Sequence, residues 1–284
     1  MITLGVRAHD FGRLPTLQLA EKIADTGVHY VQLALSKAFP EMYESPKMAD
    51  APGIAAAFHE KGLQIAVLGC YINPVHPDLF VRERALARFE EHLEWASVFG
   101  CSIVGTETGS RNQDCSYHPE TTTEQTFREL VSSISHLVNY AEKLGSVIVG
   151  IEPVAEIHTV HSPALMNRLL REIDSPALGV IFDPVNLVPK TGVRSQDEFL
   201  DECFDSFGSK IVVIHAKDYR ISEGSSGPVK SKSLPAGTGE LDWKGLFQRL
   251  KNIGNPPLPV LMEDLRPEEV PATRDRLLSL WNQS

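Results

Sequence analysis

The chain has 284 residues, 42% of them hydrophobic, with 37 Asp and Glu against 27 Lys and Arg and a formal net charge of −10. That acidity argues against a general nucleic-acid binder, whose affinity comes largely from cations meeting phosphates, and no uninterrupted apolar run reaches the length of a membrane span. The cysteines (Cys70, Cys101, Cys115 and Cys203) are widely spaced and form no CxxC pair, which argues against structural zinc and a dense disulfide framework.

The start, Met1-Ile-Thr-Leu-Gly-Val-Arg7, has no charged segment followed by a long apolar stretch, so a soluble cytoplasmic protein is the expectation. Residues 2–6 read as a first strand that ends at Arg7-Ala8-His9-Asp10. A helix follows from about Pro15, with Leu17, Leu19, Ala20, Ile23 and Ala24 on one face and Gly27 as its stop. Residues 29–33 give strand two, 51–61 a helix, and 63–68 strand three, which opens into a polar and aromatic loop at Gly69-Cys-Tyr-Ile-Asn-Pro74. Residues 77–99 form a longer amphipathic helix in which Leu86, Phe89, Leu93 and Ala96 recur at spacings of three and four. Strand four is 102–106, followed by Glu107 and a polar loop over 110–119. The next helix runs from about Thr122 to Leu144; Thr122-Thr-Glu-Gln125 matches a capping box, and Phe127, Val131, Ile134, Val138 and Ala141 line its buried side.

The second half repeats the pattern: strand five to Glu152, a helix over 163–172, strand six to Asp183, a helix over 196–207, and strand seven to His215. A polar loop rich in Gly, Ser and Lys spans 222–239. A helix over 243–253, strand eight to Glu263 and a last helix over 268–281 complete the chain. Strict alternation of this kind calls for a parallel sheet, and eight units without a composition break call for one closed (β/α)8 TIM barrel over residues 1–284.

Four consecutive apolar runs end in a side chain able to bind metal. They are Val147-Ile-Val-Gly-Ile-Glu152, Leu178-Gly-Val-Ile-Phe-Asp183, Ile211-Val-Val-Ile-His215 and Pro259-Val-Leu-Met-Glu263. Any one of them has an ordinary explanation, since an acidic residue at a strand end can cap the next helix. Together they fall at the same point of four units, and a barrel gathers those strand ends on the face where such barrels keep their chemistry. Three carboxylates and an imidazole suit one divalent cation: Mn²⁺, Mg²⁺, Co²⁺ or Zn²⁺.

This Glu/Asp/His/Glu order resembles the xylose isomerase-like barrel superfamily. Further segments carry the likeness: Ile151-Glu-Pro-Val154, Phe182-Asp-Pro-Val-Asn186, Val213-Ile-His-Ala-Lys-Asp218, Pro235-Ala-Gly-Thr-Gly-Glu-Leu-Asp-Trp243 and Met262-Glu263. The group includes sugar and sugar-phosphate isomerases and epimerases, inosose dehydratases and endonuclease IV. What the resemblance implies is a metal-dependent isomerase or epimerase acting on a small carbohydrate. Glu152 and Glu263 would be both metal ligands and the acid/base pair, and Asp183 and His215 ligands only. The chemistry is sound in itself: a cation chelated by a ketose carbonyl and its neighbouring hydroxyl acidifies the α-proton and stabilises the enediolate. The nearest alternative is a dehydratase of an inosose-like or dehydroshikimate-like substrate. An endonuclease IV-like repair enzyme would need extra histidines that the ends of strands two and three do not offer. An inactive sugar-binding protein is the remaining alternative.

Around this quartet, His158 stands six positions after Glu152, where the epimerases carry a substrate-binding glutamate. Asn186 stands three after Asp183, at the position of an epimerase substrate histidine. Both depart from the family pattern while staying polar. His161 is a weaker candidate of the same kind. Lys217, Asp218 and Arg220 follow His215 onto the rim, where at least one is expected to meet substrate. Tyr71 and Glu107 are expected to line the pocket, with loop packing and helix capping as their alternative roles. The Gly237-Thr-Gly239 turn reads as a tight turn that could also offer amides to a phosphate, and Lys230 and Lys232 as solvated. Superfamily members often associate through their helical faces, so a homo-oligomer is possible.

Overall fold

The computed structural model describes residues 2–39, 48–225, 227–231, 233–254 and 258–284. Lys232 lies outside them.

Eight parallel strands close into a barrel: β1 (Thr3–Arg7), β2 (Tyr30–Leu33), β3 (Gln64–Gly69), β4 (Ile103–Glu107), β5 (Ile148–Glu152), β6 (Leu178–Phe182), β7 (Ile211–Ala216) and β10 (Pro259–Met262). Their order around the barrel is β1-β10-β7-β6-β5-β4-β3-β2, so the fold is the expected (β/α)8 barrel. The pair β8 (Ile221–Gly224) and β9 (Gly227–Lys230) is an antiparallel hairpin where a plain polar loop was expected. The helices are α1 (Thr16–Ala24), α2 (Leu35–Ala38), α3 (Ala51–Glu60), α4 (Leu79–Trp95), α5 (Glu124–Leu144), α6 (Pro163–Ile173), α7 (Pro184–Leu187), α8 (Gln196–Phe207), α9 (Trp243–Asn252) and α10 (Val270–Gln283).

Inside the barrel Val67, Ile103, Ile181, Val213 and Leu261 form a packed layer. Ile181 reaches the axis because its neighbours are glycines: a Cβ at Gly105 would lie 2.6 Å from Ile181 Cδ1, and one at Gly150 would lie 3.0 Å from it. The helices bury the expected stripes, with Phe89, Leu93 and Ala96 of the α4 region and Phe127, Ile134, Val138 and Ala141 of α5 in the core. Leu17 departs from its assigned face. It is 54% exposed, two positions from Leu19 and therefore turned well away from the Leu19–Ile23 stripe. Side-chain caps fix where helices begin: Asp78, Ser162, Ser195 and Asp242 each accept from an amide of the first turn of their helices. The cap of α5 is Thr123, one residue later than the predicted Thr122, which belongs to a preceding 3₁₀ turn.

His92 is the polar residue that the α4 pattern missed. It is 2% exposed, Nδ1 donates to Arg88 O at 2.8 Å, and burial lowers its pKa to about 4. The unfolded chain, with an ordinary imidazole, therefore binds the proton first as pH falls. Stability from neutral His92 is complete above pH ~6.5 and lost towards the folded pKa, about 3 kcal/mol in all. Urea midpoints between pH 7 and pH 4 should fall less steeply in His92→Leu than in the unmodified protein; parallel slopes would remove His92 as a source of acid sensitivity.

Candidate metal centre

All eight strands point their C-terminal ends to one rim, and the four predicted residues sit there. Glu152 ends β5, Asp183 follows β6, His215 is the penultimate residue of β7, and Glu263 follows β10. All are buried, at 3%, 0%, 1% and 2% exposure. Ligand atoms of Glu152, Asp183 and His215 lie within 4.8 Å of one another. His215 Nδ1 is 3.3 Å from Glu152 Oε2 and 3.5 Å from Glu263 Oε2, which places the fourth residue beside that group of three.

Each member is held from behind. Asn186 Nδ2 donates to Glu152 Oε1 at 2.6 Å, and its backbone N–H donates to Asp183 Oδ1 at 3.0 Å. His215 Nε2 donates to Gln32 Oε1 at 2.7 Å, which turns Nδ1 toward the carboxylates; Gln32 Nε2 in turn donates to Tyr71 Oη at 2.6 Å. Glu263 lies between two cations, Arg7 Nη1 at 3.1 Å from Oε2 and Lys217 Nζ at 2.5 Å from Oε1. Lys217 also meets Asp183 Oδ2 at 2.7 Å. Arg7 is itself paired with Asp10 and Asp264. Outer partners that fix a ligand's orientation and tautomer are characteristic of metal centres.

The donor set fits a divalent cation. Asp183 Oδ2 and His215 Nδ1 are buried without a well-formed hydrogen bond; what faces them is charge, the Lys217 ammonium at 2.7 Å and the Glu152 carboxylate at 3.3 Å. The electrostatics agree. Burial alone would lower the His215 pKa, yet Glu263 and Glu152 raise it to about 9. A potential that favours a proton on Nδ1 favours a cation there equally. Burial pushes Asp183 up to about 7 against the pull of Lys217, while the cations beside Glu263 overcome its burial and hold it well below the usual carboxylate range.

Glu107 and Glu152 are register partners on β4 and β5, so they share the rim. Burial, then the charge of Glu152, raises Glu107 to about 7. His158 is 5% exposed, with Nε2 3.6 Å from Glu107 Oε2 and Nδ1 unpartnered, and burial lowers it to about 4. Tyr71 joins them through Gln32. His161 instead turns Nδ1 to His158 O at 3.2 Å.

Other candidates have different tasks. Asp218 is fully buried, and its carboxylate accepts from the N–H groups of Tyr219, Leu241, Gly237 and the Trp243 indole. It therefore organises the loop after β7 rather than meeting substrate, and the Gly237 amide is committed to it rather than to a phosphate. Arg220 is exposed and donates to Thr238 O at 2.9 Å, stapling the same loop. Asn186 directs its amide at Glu152 instead of the open mouth. Lys217 is the rim residue that reaches the centre. Lys230 is not solvated: its ammonium donates to Val185 O and Val188 O.

Sequence reading missed Arg7 and Gln32 as site residues, and also Lys37, whose Nζ lies 3.5 Å from the Tyr71 ring centroid. Arg7 and Gln32 stand at strand ends like the quartet, and that position was the available signal. A cavity of about 770 Å³ opens at the opposite, N-terminal end of the barrel, between residues such as Tyr30, Ile65, Ile103 and Val212. It is lined by no carboxylate, so size alone does not mark the chemistry.

A (β/α)8 barrel with a buried carboxylate–histidine centre on its C-terminal rim defines the class: a barrel able to bind metal at the strand ends. The chain belongs to the xylose isomerase-like TIM barrel family, whose model matches residues 20–279. Among solved structures it is similar to a xylose isomerase-like TIM barrel protein from Mycobacterium smegmatis in complex with magnesium (14% identity, 99% of this chain and 97% of that one, TM-score 0.78). It is similar to the IOLI protein with a bound zinc atom (16% identity, 99% of each chain, TM-score 0.75). It is also similar to D-psicose 3-epimerase with D-tagatose from Clostridium cellulolyticum H10 (14% identity, 99% of each chain, TM-score 0.74). At these identities the likeness establishes the fold. A search of curated protein sequences gave no match. No helix among the described residues is long and apolar enough to cross a membrane.

Proposed function

We propose that this barrel is a divalent-cation-dependent isomerase or epimerase of a sugar or sugar phosphate, moving a proton at a carbon beside a carbonyl. The observation that carries the reading is the gathering of Glu152, Asp183 and His215 ligand atoms within 4.8 Å, with Glu263 Oε2 3.5 Å from His215 Nδ1 and all four side chains buried. The magnesium and zinc of the similar barrels support a cation here, and the epimerase among them supports the reaction class. When bound, the cation supplies Lewis acidity to a substrate carbonyl and so acidifies the adjacent C–H.

The chain's own residues do the rest. β5 and β10 are separated by β6 and β7 around the barrel, so Glu152 and Glu263 approach the centre from different sides. One can remove a proton from one face of the carbon and the other can return it to the opposite face. Asn186 orients Glu152, and Arg7 with Lys217 orients Glu263. Tyr71, Glu107 and His158 form the wall that a sugar's hydroxyls would meet.

A dehydration reading is favoured by one observation. A carboxyl raised to about 7, as Glu107 is, can give a proton to a leaving hydroxyl at neutral pH. Incubating the Mn²⁺-loaded protein with candidate ketoses in D₂O separates the readings. Deuterium at the α-carbon without water loss supports the epimerase, and water loss supports the dehydratase. Neither event in any candidate would leave a binding protein.

A further inference from the structure

The β8–β9 hairpin rises from a rigid root. Asp218 bridges to Leu234, its carboxylate gathers donors from both ends of the loop, and Ser231 N–H donates to Arg220 O at 2.8 Å. From this support one side chain crosses to the neighbouring unit. Lys230, the last residue of β9, donates to Val185 O at 2.9 Å and to Val188 O at 2.6 Å. Those carbonyls lie at α7 and its C-terminal edge, where a helical turn leaves acceptors with spare capacity; Val185 O has one long internal bond, from Val188 N–H at 3.3 Å. At the other end of α7, Asp183 accepts from Asn186 N–H, and the Asn186 side chain donates to Glu152.

Two more contacts join the hairpin's root to the segment after α7. Gln196 Nε2 donates to Tyr219 Oη, and a Cβ on Gly192 would stand 3.0 Å from Ile221 Cγ1. α7 needs such support. It has four residues, and its internal bonds are few and mostly long: Leu187 N–H to Asp183 O at 3.3 Å, and Val188 N–H shared between Pro184 O at 3.1 Å and Val185 O at 3.3 Å. A single turn of helix is not stable by itself.

We propose that Lys230 is a positioning residue: through it the hairpin clasps α7 and holds Asp183 and Asn186 in register with Glu152. The inference rests on the cation-site reading above and adds to it an element from outside the quartet's own strands. An ammonium on a long stem suits the task, since it offers three donors and reaches two carbonyls at once. Methionine keeps the stem and removes the donors.

The test is K230M, K230R, N186A and K230M/N186A, with Mn²⁺ titrated calorimetrically and amide hydrogen exchange followed at Asn186, Leu187 and Val188. In K230M, Mn²⁺ should bind about 10-fold more weakly and the three amides should exchange about 10-fold faster. K230R should restore most of both. On the N186A background, K230M should weaken Mn²⁺ binding by much less than it does alone. Unchanged exchange in K230M overturns the clasp, as does faster exchange with unaltered Mn²⁺ affinity. Unmodified protein that takes up no Mn²⁺ overturns the cation-site reading instead, and the exchange rates then decide the clasp by themselves.

Discussion

Asp183→Ala is expected to abolish cation binding and leave the barrel folded. Asp183 is fully buried, holds an oxygen within 4.8 Å of ligand atoms of Glu152 and His215, and follows the strand that lies between theirs. Removing it leaves two carboxylates and one imidazole, and affinity for Mn²⁺ should fall by at least about 100-fold, beyond what losing an outer partner does. The cost to folding is small for two reasons. The lost cap on α7 is worth about 1 kcal/mol. Burial and the neighbouring glutamates oppose the carboxylate's ionisation, and Lys217 keeps Glu263 as a partner when Asp183 goes. Metal content by elemental mass spectrometry after identical Mn²⁺ loading should give about one ion per chain in the unmodified protein and none in the variant. Equal content in both proteins, or none in either, would sink the quartet as the site.

Glu263→Gln should separate chemistry from binding. Glutamine keeps the shape of the side chain and an oxygen for the centre, yet cannot accept a proton at neutral pH. It also leaves Lys217 and Arg7 facing a neutral amide, so cation binding should weaken modestly. Turnover in the D₂O assay should fall by about 10²–10⁴-fold, the usual range for removing a general acid or base. A variant that keeps turnover within about threefold would take Glu263 out of the proton-transfer role.

The barrel was legible because its strands are short apolar runs punctuated by Gly, Pro and amphipathic helices. The quartet was legible because four of those runs stop on a residue that is hard to bury alone. Gln32 was not. Its register against β3 shifts between Val31 and Gln32, an irregularity of the sort that re-aims a side chain beside a site, and a neutral amide gives no charge signal. Arg7 was visible as a residue, but its task depends on Glu263, 256 positions away. The loop-holding bonds of Asp218 and Arg220 were not legible for a different reason. A polar loop needs partners for its own backbone, and the spacing of Asp218 from Gly237, Leu241 and Trp243 does not appear in any local pattern. The hairpin escaped because its strands are polar and mostly exposed, without the alternation that marks a half-buried strand.

Asp218 has a consequence for how such a barrel can change over generations. By tying Tyr219 at one end of its loop to Gly237 and Leu241 at the other, it fixes where the excursion leaves and returns, so α9 starts from the same place whatever lies between. Lengthening a flexible loop between fixed ends costs little, about 0.6 kcal/mol per doubling. Residues beyond that tie can therefore be gained or lost at little cost to the barrel, provided that Lys230 still reaches Val185 O and Val188 O.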